Sequence, residues 1–344
     1  MKRAAFITLI LCIILIQANA YAHTESILNE EDFITGDLDE KTLLELIKEG
    51  VELEPEVEIS EEMEDELLEE MEEELIQYEF EPTPNYEKYL EIVGSKEKKV
   101  RKFDLSDGVA EQVPVLIYHH LLKDEENPYE NNTAVLDVDL FNEHMSYLYK
   151  HGFTTLTLYE LEQFILGELE VPKKSVVITF DDGYASNFHY AYPILKKYKF
   201  KASMFLITHK IPDEAQKFTP ERSIAIGWDQ IVKASDVFEY ANHTHDFHKM
   251  TEDGIPYLIA RSQNNLKIDL ELNKNITKGD YFAYPYGKYK DENMEVLEEL
   301  GYRMAFTTNK GYVKPGDPVY ELNRFGVFPT TNRIRFMQIL YGIG

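Results

Sequence analysis

Cysteine is almost absent from this chain of 344 residues, and basic residues are scarce relative to acidic ones. The one cysteine, Cys12, lies in an apolar run near the N-terminus, so the rest of the chain has no thiol with which to form a disulfide. There are 35 Lys and Arg residues against 63 Asp and Glu residues, and the formal net charge is −28. Because phosphate groups and anionic lipids are bound by clustered Lys and Arg, this balance argues against nucleic acid and anionic lipid as partners.

A long apolar run is lacking as well. Residues 4–16 are apolar or small, but this stretch is shorter than the roughly 20 residues that a membrane-spanning helix requires. It follows Lys2 and Arg3 and precedes small residues, a pattern typical of a secretory signal peptide. We therefore predict a signal peptide over residues 1–22 and export from a bacterial cell, with a retained N-terminal anchor as the open alternative.

The acidity is concentrated in one stretch. Residues 24–81 hold 25 Asp or Glu residues and only two lysines. Because like charges repel and resist compaction, we predict an acidic, partly disordered spacer over residues 23–107, through which the protein associates with the cell wall or membrane surface. From residue 108 to residue 344, short apolar strands alternate with amphipathic helices, which predicts an α/β domain with a parallel, barrel-like sheet.

Two polar motifs follow predicted strands of this domain. Asp181 and Asp182 come directly after the β-forming run 175–180, and His243, His245 and His248 follow a second predicted strand. In a parallel barrel such strand ends meet on one face. One carboxylate can bind a cation while its neighbour accepts a proton from water, and two imidazoles with one carboxylate suit zinc, cobalt or nickel. The pattern favours metal-dependent hydrolysis without an organic cofactor.

The segment Thr179-Phe180-Asp181-Asp182-Gly183 resembles the first motif of the carbohydrate esterase family 4 polysaccharide deacetylases, which share the NodB homology domain. The resemblance covers about residues 112–340. It implies a distorted (β/α) barrel, Asp181 as general base, and Asp182, His243 and His248 as ligands of a divalent ion. The five-residue step from His243 to His248 resembles the subgroup that acts on poly-β-1,6-N-acetylglucosamine of the biofilm matrix, which implies N-deacetylation of that polymer.

The chain departs from the family pattern at two places. The segment 282–287 lacks the arginine that steadies the catalytic Asp in the family, and Arg324 is our candidate to replace it, while the resemblance implies that the Tyr286 N–H stabilises the oxyanion. No histidine follows His248, so the general acid stays open among His119, His120, His245 and a water molecule on the metal.

Three further questions stay open from the sequence. Trp228, the one tryptophan, either forms a wall of the substrate pocket or packs at a helix start. The substrate alternatives are peptidoglycan, chitin-like oligomers and acetylated xylan. An inactive carbohydrate-binding protein on the same fold is the alternative to an enzyme, because the expected arginine and the late histidine are missing.

Overall fold

Short β-forming runs pair in parallel in the computed structural model of this protein, and the helices between them cover the sheet. The structure describes residues 82–95, 98–129, 131–251 and 253–343. The predicted signal peptide 1–22, with Cys12, and the acidic stretch up to residue 81 lie outside the described residues. All described residues belong to one compact unit. Within these ranges, no helix has the length and apolar composition needed to cross a bilayer.

The main sheet has eight strands, in the order β10-β1-β5-β6-β7-β8-β9 with the short β4 beside β5, and every pairing is parallel. The strands β2 and β3 form a separate parallel pair. The bounds are β1 Val115–Tyr118, β2 His120–Leu122, β3 Val135–Asp137, β4 Thr154–Thr155, β5 Ser175–Phe180, β6 Ala202–Leu206, β7 Phe238–Asn242, β8 Tyr281–Ala283, β9 Met304–Phe306 and β10 Phe325–Gly326.

Nine α-helices connect or flank the strands in the described residues. Several begin at side chains that cap free backbone N–H groups: Asp137 accepts from the Leu140 N–H at 2.9 Å, and Thr157 with Glu160 forms a capping box. The bounds are α1 Pro84–Ser95, α2 Val138–Lys150, α3 Leu158–Ile165, α4 Tyr192–Tyr198, α5 Trp228–Ala234, α6 Tyr257–Ala260, α7 Gln263–Thr277, α8 Asp291–Glu299 and α9 Arg333–Tyr341.

The segment that leads into β10 closes the sheet into a distorted barrel. Leu322 bridges in parallel to Phe306 of β9, and the Thr307 N–H donates to the Leu322 carbonyl at 2.8 Å. A few residues later β10 pairs with β1, and the Val327 N–H donates to the Ile117 carbonyl at 3.0 Å. One short segment thus links the last strand to the first, and the predicted distorted (β/α) barrel is confirmed.

Helix α1 packs on this barrel through two buried tyrosines. The rings of Tyr86 and Tyr89 lie 4.8 and 5.0 Å from the ring of Trp228, measured between centroids. The Tyr86 hydroxyl donates to the Ile276 carbonyl at 3.0 Å, and the Tyr89 hydroxyl donates to the Thr277 carbonyl. The compact unit therefore starts before the predicted domain boundary at residue 108. Trp228 is buried in this aromatic cluster, so of its two interpretations the structure favours packing at a helix start.

Candidate metal centre and active site

The predicted site residues lie at the carboxyl edge of the parallel sheet. Asp181 and Asp182 follow β5, and His243 follows β7. The chain turns sharply after β5, because Asp182 and Gly183 both have left-handed backbone conformations, with φ of 72° and 69°. A Cβ on Gly183 would lie 2.9 Å from a Leu206 side-chain atom, so glycine lets the turn sit close against β6.

Asp182, His243 and His248 form one cluster. The Asp182 Oδ1 atom lies 3.4 Å from His243 Nε2 and 3.2 Å from His248 Nε2. The three groups can each offer one ligand atom, and these atoms lie within 4.8 Å of one another. This is the one group of His, Cys, Asp and Glu side chains in the described part of the chain with the geometry to hold a metal ion.

The donor set fits a divalent cation. His243 Nδ1 lies 2.7 Å from the Ala283 carbonyl oxygen, which can only accept, so Nδ1 carries the proton and Nε2 presents a lone pair to Asp182. The Asp182 Oδ1 atom is buried and has no hydrogen-bond partner among the described residues. A buried carboxylate oxygen that lacks a hydrogen-bond donor and faces a nitrogen lone pair is stabilised by a cation that bridges the two. Two nitrogens and one oxygen suit zinc, cobalt or nickel.

The protonation states also suit metal binding. Burial raises the pKa of Asp182, but its contact with His243 and the charge on the nearby imidazoles when they are protonated outweigh this effect, so the pKa of Asp182 lies well below its usual range. Burial, together with the charge of His243, lowers the pKa of His248 to about 4, while Asp182 opposes the shift. Near neutral pH the aspartate is therefore anionic and His248 is neutral, which are the forms that bind metal.

Arg324 holds Asp181 with both ends of its guanidinium. Nη1 and Nη2 donate to the two carboxylate oxygens of Asp181, each at 2.8 Å, and both side chains are buried. Nη1 also donates to Thr179 Oγ1 at 3.2 Å, and Nε donates to the Thr307 carbonyl at 3.0 Å. Burial raises the pKa of Asp181, but the charge of Arg324 outweighs it, so this pKa lies below its usual value. Asp181 is thus ionised and fixed in orientation.

This contact bears on the alternative of an inactive binding protein. The family arginine is missing from segment 282–287, but Arg324 provides a guanidinium at Asp181 from another part of the chain. The missing arginine therefore no longer favours a decayed site.

Tyr286 lies beside the metal-ligand cluster on the turn Pro285–Gly287. Its ring centroid is 4.5 Å from that of His248, and its hydroxyl donates to the His248 carbonyl at 3.3 Å. The backbone of Tyr286 is left-handed, with φ of 58°, and a Cβ on the following Gly287 would collide with Thr308 at 2.0 Å. The turn thus needs glycine at position 287; the role of the Tyr286 N–H stays a prediction.

The three histidine candidates for the general acid have different surroundings. His119 is partly exposed and lies close enough to Asp181 and Asp182 to lower the pKa of both carboxyls. His120 is buried and stacks on Tyr184, with ring centroids 4.7 Å apart, and burial lowers its pKa to about 4. Burial also lowers the pKa of His245 to about 4, and its Nδ1 lies 2.9 Å from Thr208 Oγ1. Partial exposure beside both carboxylates favours His119.

The sequence reasoning missed one buried carboxylate near the site. Asp269 on α7 accepts hydrogen bonds from the backbone N–H groups of His245, Asp246 and Phe247, at 2.9, 2.6 and 3.0 Å. Burial raises its pKa to about 7, against the lowering effect of these bonds. The sequence signal that could have found it is a row of polar residues four apart on α7, at positions 269, 273 and 277.

Comparison with known proteins gives consistent matches. Residues 168–305 match the family model described as polysaccharide deacetylase. YxkH of Bacillus subtilis is 29% identical over 63% of this chain and 72% of that protein. The poly-β-1,6-N-acetyl-D-glucosamine N-deacetylase of Staphylococcus aureus is 30% identical over 54% of this chain and 64% of its own length, so this chain spans a little under two thirds of that relative. The solved structure of IcaB from Ammonifex degensii has 26% identity and a TM-score of 0.58, covering 69% of this chain and 99% of that one.

Proposed function

Because this chain carries a polysaccharide deacetylase domain, we propose that it is a metal-dependent hydrolase that removes N-acetyl groups from poly-β-1,6-N-acetylglucosamine. The observation that carries the proposal is the Asp182, His243 and His248 cluster next to a second carboxylate, Asp181, that Arg324 keeps ionised. One carboxylate is available to a cation and the other to a proton, which is what hydrolysis of an amide at neutral pH requires.

Each residue has a distinct role in the proposed reaction. Asp182, His243 and His248 would hold the divalent ion, which when bound polarises the acetyl carbonyl and makes water more acidic. Asp181 accepts the proton of the water that attacks the carbonyl carbon, and Arg324 orients Asp181. The Tyr286 N–H donates to the oxygen on which negative charge develops.

The reaction ends with cleavage of the carbon–nitrogen bond. The leaving nitrogen needs a proton, which His119 donates in this proposal because it lies near both carboxylates and is reachable from solvent. The products are the free amine on the sugar and acetate.

The choice of polymer is supported by two observations. The step of five residues from His243 to His248 is the spacing on which the resemblance to the biofilm-polymer subgroup rests, and the staphylococcal relative is named for its action on that polymer. We further propose that the protein acts outside the cell, since residues 1–22 have the pattern of a signal peptide, and that residues 23–107 associate with the wall or membrane surface.

Acetate release tests the proposal directly. The full chain, freed of metal by a chelator, should release no acetate from poly-β-1,6-N-acetylglucosamine until zinc, cobalt or nickel is added. Asp181→Asn should then lower the rate by about 10²–10⁴-fold, the usual contribution of a general base, whereas Asp291→Asn, at an exposed position of helix α8, should leave the rate unchanged. Release only from chitin oligomers, peptidoglycan or acetylated xylan would overturn the proposed polymer. No release from any of them would favour a binding protein.

A further inference from the structure

Helix α7 buries a row of polar side chains on the face that meets the sheet. Asp269, Asn273 and Thr277 are spaced four residues apart, so they lie above one another on the helix, and the exposed fractions of the three residues are 4%, 0% and 1%. Buried polar groups cost free energy unless they form hydrogen bonds, so each member of the row needs a partner in the barrel.

The partners of two members lie on the strands that lead to the metal-ligand cluster. The Thr277 hydroxyl donates to Asn242 Oδ1 at 2.6 Å, at the last residue of β7. The Asn273 side-chain amide donates to the Leu206 carbonyl at 3.2 Å and to Thr208 Oγ1 at 2.9 Å, at the end of β6. This row therefore ties α7 to the end of β7, directly before His243, and to the end of the neighbouring strand β6.

The third member, Asp269, holds the turn between the two histidine ligands. Its carboxylate accepts three consecutive backbone N–H groups, those of residues 245, 246 and 247. Such an arrangement fixes the direction of the chain between His243 and His248.

The turn needs this support because its backbone is strained. Thr244 has a φ of 75°, a left-handed conformation that β-branched residues rarely adopt. Thr244 is also fully buried. Without an anchor on the following N–H groups, the turn would relax toward an ordinary conformation.

The two histidines depend on the turn to different degrees. His243 sits directly at the end of β7, its N–H donates to the Leu206 carbonyl at 3.0 Å, and its ring is fixed by the Ala283 carbonyl. His248 lies beyond the turn, so its distance to Asp182 depends on the path that Asp269 sets. Loss of the anchor should therefore displace His248 more than His243.

We propose that Asp269 is a positioning residue that sets the metal affinity of the Asp182, His243 and His248 cluster by holding the turn 244–247. This role rests on the proposed function in one respect, namely that the cluster binds the metal. Asp269 itself is proposed to touch neither the metal nor the substrate. The effect belongs to metal binding itself and is measurable without any polymer.

Calorimetric titration of the metal-free full chain with zinc or cobalt tests the role. Asp269→Asn keeps the shape but places an amide NH₂ among three N–H donors, and Asp269→Ala removes the acceptor. Metal affinity should fall at least about tenfold in Asp269→Asn and further in Asp269→Ala, as for other residues that support a metal ligand. Asn293→Ala is the matched control, because Asn293 is fully buried on α8 and donates to the Leu258 carbonyl at 2.9 Å rather than to the turn 244–247.

Hydrogen exchange of the metal-free protein gives a second measurement, which can be interpreted even if the variant is partly destabilised. The N–H groups of residues 245–247 should exchange faster in Asp269→Asn than in the wild type, while those of the sheet strands stay protected. Wild-type metal affinity in a folded Asp269→Asn variant, or equal losses in Asn293→Ala, would overturn the role. A wild type that binds metal but releases no acetate would refute the proposed function and leave the Asp269 result standing.

Discussion

Replacing Arg324 by methionine should lower both the stability and the activity of this protein. The substitution keeps an unbranched chain of similar reach but removes the charge that faces Asp181 with two bonds of 2.8 Å. It also leaves Thr179 Oγ1 and the Thr307 carbonyl without the donors that Arg324 provides. An uncompensated carboxylate then remains buried next to a second one, Asp182.

The magnitude follows from the burial of the pair. Removing one partner of a buried ion pair typically costs about 3–5 kcal/mol, since the remaining charge has lost its compensation. At about 2 °C per kcal/mol for a domain of this size, the melting temperature of the metal-free protein should fall by about 6–10 °C. Because Asp181 also loses its orientation, the rate of acetate release should fall by about 10²-fold or more.

A double-mutant cycle separates the pair from its surroundings. Asp181→Asn and Arg324→Met are each expected to destabilise, and the double variant should be more stable than the sum of the two changes predicts, by about 2 kcal/mol or more. Urea unfolding of the metal-free proteins measures these free energies of unfolding. Arg335→Met, on an exposed helix position, is the control and should change little. Additive free-energy changes would refute the pairing as a source of stability.

Three further changes have distinct expected outcomes. Asp182→Asn removes the anionic ligand, so the metal content retained after dialysis should fall, by elemental analysis, to the background level of a chelated sample. Burial lowers the pKa of His144 to about 4 against about 6.5 when unfolded, so the unfolded state binds the proton first as the pH falls. Its contribution to stability should therefore drop by about 2 kcal/mol from pH 7.5 to 5, and urea midpoints of His144→Leu should lose that part of the pH dependence; an unchanged slope would contradict it. Tyr89→Ala removes a buried ring that packs on Trp228, so it should lower the free energy of unfolding by about 3–5 kcal/mol without changing metal affinity. An unchanged melting temperature in a thermal scan, or a changed affinity in a zinc titration, would contradict this prediction.

The central strands could be predicted from the sequence because most of their residues are apolar or β-branched. All six residues of β5 are buried, and the predicted run 175–180 matches its bounds. The two-residue strand β10 has no pattern long enough to detect, since it is defined by its pairing with β1. Helix α1 was obscured by Pro82 and Pro84, which suggest an interruption; yet Pro84 is its first residue, where proline is well tolerated.

The site residues that directly follow strand ends could be predicted from the sequence. Asp182, His243 and His248 were expected to meet because parallel strands end on one face, and the structure brings them together. The family resemblance drawn from Thr179–Gly183 is confirmed. Asp269 could not be selected by the strand-end reasoning, because it lies in the middle of a helix and its partners are backbone N–H groups; its sequence signal is the polar row at positions 269, 273 and 277.

The position of Arg324 connects barrel closure with the proposed chemistry. It lies between Leu322, which bridges to β9, and β10, which pairs with β1. Four of its five N–H groups donate hydrogen bonds, to Thr307 after β9 and to Thr179 and Asp181 at the end of β5. A buried guanidinium is tolerated only with such partners. The closing segment is therefore stable only while Asp181 is ionised and accepts hydrogen bonds from Arg324. Conversely, Asp181 is oriented only when this segment is in place. A barrel that failed to close would therefore lose the proposed general base even if every proposed metal ligand were intact.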